Sequence, residues 1–124
     1  MSEPTVFYPQ AISHAVRKTH TFAANGETAM EVCRVPAGSL YRASALTTVA
    51  YDDSGSDAIS VGHTGAGYTD SINAASVAAL GQDLGVLVYT ASEVSIFALY
   101  AGQNNNATVG TAIILVEIWP AHAA

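Results

Sequence analysis

Hydrophobic and polar residues alternate along much of this chain with a period of two, the spacing that sends successive side chains to opposite faces of a strand. From His14 to Phe22 the pattern sets Val16, Lys18, His20 and Phe22 on one side and Arg17, Thr19 and Thr21 on the other. Its weak contrast and its charges predict an edge strand. AANGE follows, and Asn25-Gly26 is a favoured pair where φ must be positive, so a turn is expected before the next strand, Thr28 to Val35. Pro36-Ala37-Gly38 ends that strand. Leu40 to Tyr51 lacks Gly and Pro, is rich in Thr, Val and Tyr, and places Tyr41, Ala43, Ala45, Thr47 and Val49 on one face.

Ala58 to Val61 is a short alternating segment that breaks into a glycine-punctuated loop. Ile72 to Leu80 reads as a strand or as one or two helical turns, because its alanines favour helix while its length and flanking glycines oppose it. Gly81 to Gly85 reads as a connection between VLVYT and what precedes it, and VSIFALYAG is the next strand. In GTAIILVEIWP, Ile114, Val116 and Ile118 oppose Ile113, Leu115 and Trp119, which predicts a strand buried on both faces. About eight strands with turns at short intervals predict an all-β chain, an antiparallel two-sheet β-sandwich of jelly-roll type spanning residues 14–124. Residues 1–13 carry Pro4 and Pro9 around Val6, Phe7 and Tyr8. Proline fixes φ and removes a donor, so this segment is expected to be an extended N-terminal arm, lying on its own domain or on a neighbouring subunit.

Composition sharpens this picture. A chain of 124 residues suffices for one core without metal or disulfide. Half of it is hydrophobic and 11% is charged, against about 25% in ordinary soluble domains, so the surface is short of charge: either more than one face is hidden in an assembly, or Thr, Ser, Asn and Ala cover it in place of Lys and Glu. The basic residues Arg17, Lys18, Arg34 and Arg42 all precede position 43, and the net charge is −6. Nucleic-acid binding needs a basic stripe and is not expected. The apolar runs fall far short of the roughly 20 residues of a membrane-spanning helix, and the N-terminus has no secretory pattern, so neither a membrane partner nor export is expected.

Candidate chemistry is sparse. Asp52, Asp53 and Asp57 with Ser54 and Ser56 resemble half of a calcium loop, but the closing glutamate is missing, and a solvated acidic turn is the expectation. GHTGAG at 62–67 lacks the Gly-Lys of a phosphate loop and the third glycine of a dinucleotide loop, so its glycines are expected to shape a sheet corner. His14, His20, His63 and His122 share no metal-ligand spacing, and no nucleophile elbow occurs. Cys33 sits in the apolar register of its strand and is expected to pack as a small hydrophobe. No catalytic residue, cofactor or metal site is therefore expected. Tyr41, Tyr51, Tyr68, Tyr89, Tyr100 and Trp119 could instead build a sugar-binding platform, although aromatics in strands more often fill a core or an interface.

Three stretches carry a resemblance: VPAGSLY leading into a long strand, SVGHTGAGYTDSINAASVAALG, and NATVGTAIILVEIW, together covering roughly residues 35–119. In them the chain resembles head decoration, or cement, proteins of tailed bacteriophages. The central loop departs from the family's Gly- and Asp-rich pattern at His63 to Gly67, which sets aside any shared ion site. The resemblance implies a β-sandwich made in the host cytoplasm and carried on the outside of the capsid, bound across neighbouring subunits of the major capsid protein, with no catalytic residues to transfer. In that setting the arm residues Val6, Phe7, Tyr8 and Pro9 are expected to dock on a neighbour, and symmetry favours a homo-oligomer, a dimer or trimer. A tail or head-fibre component and a carbohydrate-binding module are the alternatives.

Overall fold

The computed structural model describes residues 14–53, 57–102 and 107–120. The arm and its proposed contact residues Val6, Phe7, Tyr8 and Pro9 lie outside the described residues, as do Ser54, Ser56 and His122. The described chain forms the strands β1 (His14–Thr21), β2 (Met30–Val35), β3 (Ser39–Val49), β4 (Asp57–Gly62), β5 (Ile72–Ser76), β6 (Gly81–Leu84), β7 (Val88–Thr90), β8 (Val94–Gly102) and β9 (Thr111–Trp119). Its only described helix, α1, is the single turn Phe22–Asn25. No described helix is long and apolar enough to cross a membrane.

One sheet runs β1-β9-β3-β6, with β7 also paired to β3, and the other runs β2-β8-β4-β5. Every pairing is antiparallel. β6 and β7 both pair with β3, at Ser44–Thr47 and Ser39–Tyr41 respectively, so they are two halves of one interrupted strand. Taken together they leave eight strands in two sheets of four, with β1 against β2 at one side and β6 against β5 at the other. This is the wrapping of a jelly roll. The interruption lies at Gly85, where the Gly85 amide donates to the Ala43 carbonyl at 2.8 Å and the Val86 amide donates to the Ser71 carbonyl at 2.9 Å. A side chain at Gly85 would strike Ser71, so glycine lets the two sheets approach at this point.

The core lies between the sheets. Tyr41, Ile59, Ile96, Tyr100, Ile114 and Val116 are fully buried there, contributed by alternate positions of β3, β4, β8 and β9. The expected faces of β1 and β3 are present, with His20 buried opposite Ala112 and with Tyr41, Ala43, Ala45 and Thr47 turned inward. Val49 departs from this face and is 45% exposed, because a bulge between Thr47 and Val49 shifts the register.

One further expectation is corrected, and of the two readings open for Ile72 to Leu80 the structure takes the strand. The first half of this segment pairs with β4 as β5, and Ala74, at φ 54°, donates its amide to Ser60 Oγ at 2.9 Å across an irregularity in that pairing. The correction concerns β9, which is not buried on both faces: Ala112, Ile114, Val116 and Ile118 face the core, whereas Ile113, Leu115, Glu117 and Trp119 are only half-buried. A two-layer sandwich covers only the inward face of each sheet.

Candidate interaction surface

The polar side chains that suggested chemistry are occupied in holding the fold. Asp52 accepts from the Thr108 amide and hydroxyl, both at 2.5 Å, and from the Val109 amide at 3.0 Å. These donors, the Thr108 hydroxyl foremost, hold the Asp52 carboxyl down at about 2. Asp53 and Asp57 are buried, and Asp57 accepts a hydrogen bond from the Tyr100 hydroxyl. Burial, reinforced by Asp57, pushes the Tyr100 phenol far above its ordinary range, so it remains a donor. Of the expected solvated turn, Asp52 is exposed, whereas Asp53 and Asp57 are buried. Among the described residues no three of His, Cys, Asp and Glu gather where they could hold a metal ion.

The glycine-punctuated loop after β4 is organised by Asp70. Its Oδ2 accepts from the amides of His63 and Thr64 at 2.8 and 2.7 Å, and its Oδ1 accepts from the Thr64 hydroxyl at 2.8 Å. Partial burial pushes the Asp70 carboxyl up, but these donors and the neighbouring His63 outweigh it and leave it below its ordinary value. A Cβ at Gly62 would lie 2.5 Å from Asp70 Oδ2 and 2.6 Å from the Asp70 nitrogen, so this glycine serves close approach, as the corner reading expects. Tyr68, at φ 57°, turns the loop back so that its ring packs 4.8 Å from that of Phe97. His63 Nδ1 lies 2.7 Å from the Tyr41 hydroxyl.

A second polar cluster lies inside the sandwich. His20 Nδ1 is 2.7 Å from the Tyr51 hydroxyl, and the Tyr51 and Tyr100 rings stack at 4.6 Å. The three described histidines therefore do not meet: His20 and His63 belong to separate networks and His14 begins β1. The aromatics do not assemble a platform. Tyr41, Tyr51 and Tyr100 are fully buried, Tyr68 covers Phe97, and Tyr89 and Trp119 alone among the six stand on the outside of the five-stranded sheet. Cys33 is half-buried against the core, as its register implies, and burial pushes its thiol up to about 11, with Glu31 adding to the effect.

What sequence reasoning missed is the outer face of that sheet. Strand alternation turns Arg42, Ser44 and Leu46 of β3 outward beside Glu117, Leu115 and Ile113 of β9. Leu46 is 42% exposed and Leu84 of β6, paired with Ser44, is 63% exposed. Because Ser44 is small between larger neighbours, a depression of about 280 Å³ opens over it, walled by Arg17, Leu46, Gln82, Ile113 and Leu115. Arg42 donates to Glu117 Oε1 at 2.9 Å and holds its guanidinium carbon 5.7 Å from the centre of the Trp119 ring. Such a face has the composition of a protein interface: apolar, aromatic and arginine-bearing. The legible signal was the second apolar row of β9, which the sequence offered as burial within the fold.

No family model matches this chain, and no curated protein matches it. Solved structures do. A chain in the capsid asymmetric unit of cyanophage Pam1 superposes with a TM-score of 0.72 at 15% identity, covering 97% of this chain and 92% of that one. A chain in the acid-stable capsid of Helicobacter pylori bacteriophage KHP30 superposes with a TM-score of 0.65 at 13% identity, covering 89% of this chain and 90% of that one. At these identities the likeness is one of fold, and it extends over nearly the full length of each chain.

Proposed function

We propose that this chain is a non-enzymatic structural protein of a tailed-phage virion, a decoration protein that sits on the outside of the head and reinforces contacts between neighbouring major capsid subunits. The observation that carries this reading is the near end-to-end correspondence of its fold with chains of two phage capsids. Its own physics agrees. Asp52, Asp57, Asp70, His20, Tyr41, Tyr51 and Tyr100 are engaged in internal hydrogen bonds, which stiffens a sandwich whose task in this reading is to bear load. An apolar outer face with few charges suits attachment by area, and many modest contacts on one lattice act together. A carbohydrate-binding role loses its support, since three of the six candidate aromatics are enclosed in the core.

In this reading Val6, Phe7, Tyr8 and Pro9 form the arm's docking segment on the adjacent capsid subunit. The test is to mix the purified protein with undecorated heads, separate bound from free protein by sedimentation, and image the heads by cryo-electron microscopy. Ordered extra density at repeated lattice positions is the expected result. A chain lacking residues 1–12 should remain folded and occupy fewer of those positions. Heads that stay bare at saturating protein would rule out the decoration role.

A further inference from the structure

We propose that the outer face of the five-stranded sheet is a self-complementary dimer interface, covered by a second copy of this chain about a two-fold axis running along the seam between β9 and β3. Three rows of outward residues straddle that seam, each pairing one residue of β9 with one of β3: Glu117 with Arg42, Leu115 with Ser44, and Ile113 with Leu46. A two-fold parallel to the strands and above the seam lays β9 of each copy over β3 of the other. Every residue then meets its row neighbour's counterpart. Glu117 faces the partner's Arg42, making a closed square of alternating charge from two intrachain pairs. Leu115 stands over the partner's Ser44, where the depression of about 280 Å³ receives it. Ile113 covers the partner's Leu46, which is 42% exposed in the single chain.

The occupant follows from this symmetry. The Arg42–Glu117 row pairs opposite charges and the Ser44–Leu115 row sets small beside large across the seam, so the face is complementary to its own copy in charge and relief, as an isologous contact requires. The dimensions also suffice. Strand rise and spacing give roughly 20 Å along the strands and nearly as much across four of them. Side-chain relief raises this to roughly 500–600 Å² per copy, and the total for both copies reaches the lower bound of specific interfaces at about 1,000 Å². Aligned packing of two sheets, with strands within about 30° of parallel, is a standard sheet-on-sheet geometry.

The test is sedimentation equilibrium of the purified chain and of three variants, with no capsid present. Its failure therefore leaves the decoration reading standing, and bare heads in the binding experiment leave this one standing. The wild type should dimerise with a dissociation constant of about micromolar order, as an interface of this size commonly allows. Arg42→Glu and Glu117→Arg should each weaken the dimer at least about tenfold, since each sets like charges across the contact. An equimolar mixture of the two should regain dimer mass. Each chain in that mixture keeps like charges side by side within itself, so recovery reports pairing between copies and not repair of a fold. Leu115→Asp, on a half-buried outer position, should be folded by circular dichroism and monomeric. A wild type that stays monomeric at about 100 μM, well above the expected constant, overturns the proposal. So does an oligomer whose mass the variants leave unchanged, or a charge-swapped mixture that does not recover.

Discussion

His20 Nδ1 and the Tyr51 hydroxyl meet 2.7 Å apart inside the sandwich, and the same hydroxyl donates to the His20 carbonyl at 3.3 Å. The Tyr51 hydroxyl thus ties the ring of His20 to its own backbone. Burial favours the neutral imidazole. Tyr51→Phe removes a partner from both His20 groups and should cost about 1–3 kcal/mol in chemical denaturation, with little change in the slope of the transition.

The same arrangement sets a pH dependence. Burial lowers the His20 pKa below its ordinary 6.5, although the Gly26 backbone draws it part-way back. The unfolded chain therefore takes up its proton first as pH falls, and stability is lost from about pH 6.5 downward until the folded form also protonates. Thermal unfolding followed from pH 8 to pH 5 should show a falling midpoint over this window, and the slope should flatten in His20→Gln. The carboxylates act lower. Asp52 and Asp70 are depressed in the folded chain, so the stability they confer is present above the ordinary carboxylate range near pH 4 and disappears below it.

The loop after β4 offers a paired test. Gly62→Ala drives a methyl group into Asp70 and should destabilise by about 1–3 kcal/mol through overpacking. Asp70→Ala removes the acceptor of the His63 and Thr64 amides and should cost a similar amount, about 1–3 kcal/mol. Asp70→Ala relieves the Oδ2 part of that clash and leaves the part against the Asp70 backbone nitrogen, so the double variant should fall modestly short of the sum, which a double-mutant cycle measures.

Ser71 links strands that are distant in sequence: its hydroxyl accepts from the Ala43 amide at 2.9 Å and donates to the Val86 carbonyl at 2.8 Å. Ser71→Ala should therefore free the interruption between β6 and β7. Hydrogen exchange should quicken at Ala43 and Gly85 before it changes at β8 or β9, because the opening is local.

Cys33 should resist labelling. With its thiol at about 11, little thiolate exists near neutral pH, so a disulfide reagent at pH 7.5 should modify the native chain far more slowly than the chain unfolded in denaturant.

Much of this architecture was legible because alternation survives wherever one face meets a core: His20 of β1 and Tyr41, Ala43, Ala45 and Thr47 of β3 are buried as expected, and Ile114, Val116 and Ile118 of β9 share one face. It failed where backbone detail overrides the period. At β5 the bond from Ala74 to Ser60 holds an alanine-rich segment extended, and at Gly85 the approach of Ser71 divides one strand into two. Bulges at Val32 and Thr48 are invisible in composition for the same reason. The outer face was misread because half-buried isoleucine, leucine and tryptophan look identical in sequence whether a chain covers them by itself or leaves them for another molecule. The internal clamps of Asp52 and Asp70 join segments that only the fold brings together or turns back upon themselves.

The exposed margin formed by β1 has a bearing on crowding. Arg17 and Lys18 stand next to each other there, and Lys18 Nζ reaches over to the Glu31 carbonyl at 2.6 Å, lacing the two layers together at their open side. Two such margins brought level would place cation against cation along a strand that has already lent one lysine elsewhere. Strand-to-strand addition of a second copy along this margin is thereby opposed by like charge.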